Sequence, residues 1–181
     1  MTELIYHVAT TVDHFIADPS GVADQSIFFY EGDHASDFIS AIQQYDAVLM
    51  GGKTYEWGFQ YGLKPGEPGY KGLKHYIFSK TMDFESNDEV ELVKTDAAEF
   101  IKKLKQNTDQ KIWLCGGGQL AGSLLDHQLI DTLILKVNPV LIGDGIPLFG
   151  SSKKQIHLEL RSLKKYENGV IVPTYKILYY E

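Results

Sequence analysis

Three short stretches of this chain carry residue types suited to binding a phosphorylated ligand. In the first, an apolar run from Ala47 to Met50 stops at Gly51 and Gly52 and restarts as the polar, helix-competent Lys53, Thr54, Tyr55, Glu56 and Trp57. The first amides of a helix have no intrahelical partner and point at whatever lies beyond its end. Two glycines let a ligand approach the main chain closely, and Thr54 adds a hydroxyl beside it. The same residues also suit an ordinary strand-to-helix turn, so this stretch alone leaves both readings open.

The second stretch is Gly116, Gly117, Gly118, Gln119 and Leu120, again following an apolar run, Lys111 to Cys115. The third is Ser79, Lys80 and Thr81, closing the run Lys74 to Ser79, where a serine hydroxyl serves a turn as readily as a ligand. Neither glycine cluster matches the Rossmann fingerprint or a Walker A loop. A long ligand with several phosphates explains all three stretches at once.

Groups that could handle a proton are sparser. Asp13, His14, Asp33 and His34 are the ionisable residues of the segments flanking the presumed substrate side, and Asp37 lies near the start of an expected helix. Asp37 is read either as a cap of that helix or as an acid, and Asp13 and Asp37 are carried forward as the catalytic candidates. Tyr6 and Trp57 could wall a pocket by stacking, or belong to the core. Cys115, inside an apolar run, reads as a buried, inert thiol.

The elements that must position these residues follow from periodicity. Leu4–Val12 reads as a first strand, and the aperiodic segment to about Asp33 reads as a loop over a site. His34–Tyr45 has helical spacing, with Ser36 or Asp37 as its cap; Thr54–Phe59 makes a short helix before a Gly- and Pro-rich loop, Tyr61–Gly72. Strands are expected at Lys74–Ser79, Val90–Val93 and Lys111–Cys115, with Asp96 capping a helix through Phe100, Ile101 and Leu104. Leu120–Asp126 is a helix and Leu129–Val140 a long strand bent or edged at Pro139. His157–Tyr166 and Val170–Tyr180 form a hairpin around Glu167, Asn168 and Gly169. Strands alternating with helices give an α/β fold, a mixed, mostly parallel central sheet flanked by helices with a C-terminal antiparallel hairpin. In such sheets ligands bind beyond the carboxyl ends of the strands, where the three stretches should gather.

Composition bounds the function. The 181 residues, 44% hydrophobic and 23% charged, suit one globular domain spanning 1–181. A formal charge of −7 argues against a nucleic-acid partner, which demands clustered basic residues. A single cysteine excludes an internal disulfide or a multi-cysteine zinc site, and no metal site is read. With neither a secretory leader nor a membrane-length apolar run, the expected location is cytoplasmic, with no membrane partner.

The ordered set Met50–Glu56, Tyr76–Ser79, Ile112–Leu120, Leu129–Leu135 and Pro139–Gly145, with Thr11–Ala17 before it, resembles the dihydrofolate reductase fold. The likeness is to its riboflavin-biosynthesis reductase C-terminal (RibD_C-like) branch, and it spans nearly the whole chain. It implies an NADPH-dependent oxidoreductase acting on a small heterocycle, pterin-like or ribosylaminopyrimidine-like. By the same resemblance Gly51, Gly52, Lys53 and Thr54 meet the pyrophosphate and Ser79 and Lys80 the adenosine ribose phosphate. Gly116, Gly117, Gly118, Gln119 and Leu120 meet the middle of the cofactor.

Two departures stand out. The arginine that usually follows the first glycine in dihydrofolate reductases is Gly52 here, which leaves NADH open as the cofactor, with Lys53 or Lys80 as substitutes for the arginine. The helix carboxylate of those enzymes has no counterpart beyond Asp37. A non-catalytic nucleotide-binding or sensory domain of the same fold is therefore the alternative. The Tyr-, Leu- and Ile-rich hairpin implies a homodimer, as in the resembled family.

Overall fold

The computed structural model describes residues 2–107 and 109–179. Among them, eight strands form one sheet in the order β5-β4-β3-β6-β1-β7-β10-β9. These are β1 (Glu3–Thr10), β3 (Ala47–Gly51), β4 (Lys74–Phe78), β5 (Val90–Val93), β6 (Lys111–Gly116), β7 (Thr132–Val137), β9 (His157–Lys165) and β10 (Ile171–Leu178). The strands from β5 to β7 pair in parallel, and β10 runs antiparallel to both β7 and β9. A two-residue ladder joins β2 (Phe15–Ala17) to β8 (Ile146–Pro147).

Central parallel strands are buried on both faces, so their sequences run apolar without a break. The alternation of side chains sorts them into two cores. Leu4 and Tyr6 of β1, Ala47 and Leu49 of β3, Ile112 and Leu114 of β6, and Leu133 and Leu135 of β7 point to one face. There they meet Ala98 and Ile101 of α3 (Ala97–Asn107) and Ala121, Leu124 and Leu125 of α4 (Gly118–Asp126). Ile5, Val48, Met50 and Trp113 point to the other face, with Ile42 of α1 (Asp33–Ile42) and Tyr55 of α2 (Gly52–Trp57). Helices thus cover both faces of the sheet.

Several expectations need correcting. Neither Ser36 nor Asp37 caps α1: its N-cap is Gly32, at φ 102°, with no side-chain cap, and Asp37 lies inside the helix. Tyr6 walls no pocket beside α1, because it is fully buried on the opposite face and donates to the Leu148 carbonyl, 2.9 Å away. The strand expected over Leu129–Val140 is confined to β7. Its lead-in is spent on fastening, Leu129 N–H to Leu124 O and Asp131 N–H to Leu4 O, and Pro139 lies beyond its end. The Asp96 cap is present, its carboxylate accepting the Glu99 amide at 3.0 Å. The expected hairpin is β9–β10, its turn closed by Tyr166 N–H to Val170 O; the expected end at Tyr180 lies outside the described residues.

Candidate functional site

The parallel register brings the carboxyl ends of β3, β4 and β6 side by side, Gly51 opposite Phe78 and Met50 opposite Gly116. The glycines there let the three segments approach one another closely. A Cβ on Gly51 would lie 3.5 Å from the Gly117 amide nitrogen, and one on Gly117 would lie 3.2 Å from Oγ1 of Thr54. A Cβ on Gly52 would meet Cβ and Oγ of Ser79, both at 3.0 Å. The three stretches singled out in the sequence therefore form one continuous floor.

Helices α2 and α4 start on this floor, with Gly51 and Gly117 as N-caps that contribute no side-chain hydrogen bond. Their first amides are left for solvent or a ligand. The crowding of Gly52 against Ser79 also gives a steric reason why no arginine stands at this position. Lys53 and Lys80 are the exposed cations nearby. Oγ of Ser79 accepts the Met82 amide at 3.1 Å, so this hydroxyl shapes its own turn while facing Gly52.

Gly118, Gln119 and Leu120 point elsewhere in part. A Cβ on Gly118 would lie 2.3 Å from the Pro147 carbonyl oxygen, and Oε1 of Gln119 accepts the Ser151 hydroxyl at 3.1 Å. Leu120 packs against the core beneath α4.

On the α1 face lies a cavity of about 200 Å³. His34, Asp37 and Phe38 reach it from α1, His7 from β1, Lys136 from β7, and Lys164 and Tyr166 from the hairpin. Asp37, the helix candidate, is held by Lys164 and by the Tyr166 hydroxyl at 2.6 Å. The Lys164 ammonium, then Tyr166, keep its carboxyl below the usual range. Asp13 lies apart from this group. Its carboxylate accepts the Ile142 and Gly143 amides at 3.1 and 2.8 Å, and the neighbouring Thr11 hydroxyl, then those amides, hold it ionised. Asp13 thus clamps a loop. His14 and Asp33 are exposed, Trp57 stacks edge-on with Tyr61, and the partly buried Cys115 thiol is pushed up to about 12 by burial.

Sequence reasoning missed His7, Lys136, Lys164 and Tyr166. For Lys136 a signal existed, since strict alternation along β7 puts it on the α1 face with Ile134. The hairpin residues gave none, standing 127 and 129 positions from Asp37.

His7 reports on the dryness of this region. It is 5% exposed, shares a hydrogen bond with the Tyr45 hydroxyl at 3.0 Å, and burial, with the Lys136 charge, lowers its pKa from 6.5 to about 4. In the unfolded chain it protonates as pH falls through its ordinary value, while the native imidazole stays neutral down to about 4. The unfolded state therefore binds more protons in that window, and stability falls with falling pH, by on the order of 3 kcal/mol from this group. His34 and His75 are shifted the same way. Urea midpoints are expected to drop between neutral pH and this acid limit, and to drop less steeply in His7→Gln. Parallel profiles for the two proteins would contradict this origin.

Comparison with known proteins agrees with this architecture. The profile of the RibD C-terminal domain matches residues 2–172. Two uncharacterized Bacillus subtilis (strain 168) proteins, YyaP and YwjB, are each 30% identical, over 181 and 166 residues; the alignments cover 95% and 92% of this chain and 93% of each relative. A Shewanella sp. PV-4 structure named for riboflavin biosynthesis superposes with a TM-score of 0.81 at 23% identity, covering 98% of this chain and 99% of that one. A Thermotoga maritima diaminohydroxyphosphoribosylaminopyrimidine deaminase/5-amino-6-(5-phosphoribosylamino)uracil reductase does so at 0.68 and 15%, covering 98% and 56%. At such identities these structures speak for the fold. No described helix is long and apolar enough to cross a membrane. The chain belongs to the RibD C-terminal domain family and has its dihydrofolate reductase-like fold.

Proposed function

We propose that the protein is an NAD(P)H-dependent reductase of a small heterocyclic substrate, pterin-like or ribosylaminopyrimidine-like. The observation that carries this reading is the floor at the carboxyl ends of β3, β4 and β6, where Gly51, Gly52 and Gly117 lie close against one another, Thr54 and Ser79, and present main chain bare of side chains to a ligand. A dinucleotide pyrophosphate suits such a cradle, because main-chain amides and the Thr54 and Ser79 hydroxyls can reach it. Gly51 to Thr54 and Gly116 to Gly118 would hold its middle, and Ser79 and Lys80 its adenosine ribose. When bound, the nicotinamide supplies the hydride.

The chain's own residues supply the rest. The cavity under α1 would hold the substrate between Phe38 and the Ile134 side of the sheet, so that positioning contributes most of the rate. Asp37, ionised and held by Lys164 and Tyr166, is suited to receive a substrate N–H rather than to donate a proton. A domain that only bound nucleotides would need the floor but not this polar cavity. The reading requires saturable binding of NADPH or NADH; no calorimetric or fluorescence response at about 1 mM of either would refute it.

The proposed assembly is a homodimer joined across the hairpin. Every residue of β9 is exposed, and Leu158, Leu160 and Leu163 are 44%, 54% and 45% exposed on a strand that pairs with β10 on one side and, among the described residues, with no strand on the other. Such an edge invites pairing. Light scattering at micromolar concentration is expected to give twice the chain mass, and Leu160→Lys the single-chain mass. A wild-type monomer would count against the assembly.

A further inference from the structure

The cavity under α1 contains two groups that the reductase reading leaves unused. His34 is 2% exposed, and neither ring nitrogen has a hydrogen-bond partner. Buried polar side chains are seldom left this way. Its ring stands edge-on to Tyr166 at 5.7 Å, and the Glu31 main chain, though close enough to affect it, does not reach hydrogen-bond geometry.

Lys136 lines the same cavity from β7. It is 7% exposed, its Nζ donates to the Phe29 carbonyl at 2.6 Å and lies 5.3 Å from the centre of the Tyr30 ring. Among the described residues no carboxylate pairs with it: Asp37 is taken up by Lys164 and Tyr166. Burial alone lowers its pKa to about 8. A carbonyl dipole and a ring face are weak compensation for a half-dry cation. Water would satisfy the imidazole and leave the charge uncompensated, whereas an anionic oxygen satisfies both groups.

We propose that His34 and Lys136 together receive an anionic oxygen of the substrate, which makes the substrate class of this cavity a planar heterocycle bearing a carboxylate or an equally acidic ring oxygen. The remaining walls, Phe38, Ala41, Ile134 and Val172, suit the flat apolar body of such a molecule. The assignment rests on the cavity being the substrate side of the reductase. Lys136 also ties the loop before α1 through Phe29, so its test needs a readout that a loosened loop would not move.

The test is calorimetric binding of a matched panel of pyrimidine and pterin carboxylates and their neutral carboxamides, with and without NADPH. At least one acid is expected to bind about tenfold better than its amide. Lys136→Met should abolish that preference, Lys136→Arg should keep it in part, and His34→Phe should weaken the acid more than the amide. If no acid binds better than its amide, or if the preference survives both Lys136→Met and His34→Phe, the proposal is wrong. NADPH affinity on the same samples separates the two readings. Cofactor binding without acid preference overturns only this one, and acid preference without cofactor binding overturns only the reductase.

Discussion

Gly118→Ala is expected to destabilise the protein by about 3 kcal/mol, the upper part of the range for forcing atoms into a close-packed site. The new methyl group would lie 2.3 Å from the Pro147 carbonyl oxygen and 3.1 Å from the Gly150 amide nitrogen. Both obstacles are main chain, which cannot swing aside as a side chain would. One turn later along α4 the same contact recurs, for a Cβ on Gly122 would lie 2.2 Å from the Phe149 carbonyl oxygen. The two glycines form the stripe on which the segment Pro147–Gly150 lies, and that segment also anchors Tyr6 through Leu148. Urea denaturation measures the effect. Gly69→Ala, whose added methyl would make only an ordinary 3.7 Å contact with Leu63, is the control and should be near neutral. Equal midpoints for Gly118→Ala and this control would show that α4 can move away at little cost.

Gly52→Asp should lower NADPH affinity at least roughly 100-fold, about 3 kcal/mol, while leaving the protein folded. Two effects add. The new Cβ would press on Ser79 at 3.0 Å, displacing the serine turn, and the carboxylate would stand where the cofactor's phosphates are proposed to lie. Gly52→Ala carries the first effect without the second, so its loss should be clearly smaller. Fluorescence titration of the three proteins separates steric from electrostatic contributions. An affinity for Gly52→Asp within threefold of wild type would place the phosphates elsewhere.

Much of this was legible in the sequence because it depends on local rules. Apolar runs ending in glycine located β3 and β6, Asp96 declared the start of α3, and Asn168-Gly169 located the hairpin turn. The gathering of the three stretches followed from parallel pairing alone. What was not legible depends on distant contacts. The cap of α1 was misassigned because Gly32, at positive φ, ends the preceding loop without any side-chain cap. Asp37 looked like a cap because its partners Lys164 and Tyr166 come from the far end of the chain. The shortness of β7 is set by Asn138, whose buried amide group donates to the Thr10 and Lys136 carbonyls and turns the chain away. Lys136 was hidden for a different reason: an isolated lysine in an apolar strand reads as a break in a pattern until the wall opposite it is known.

The central claim is that the floor formed by Gly51 to Thr54, Ser79 and Gly116 to Gly118 holds a dinucleotide. A crystal structure grown with NADPH tests it most directly. The expected result is the pyrophosphate against the Gly51, Gly52 and Gly117 main chain, with the nicotinamide directed toward the cavity of His34 and Lys136. A nucleotide seated on any other surface, or a floor that stays without one at saturating NADPH, would contradict it.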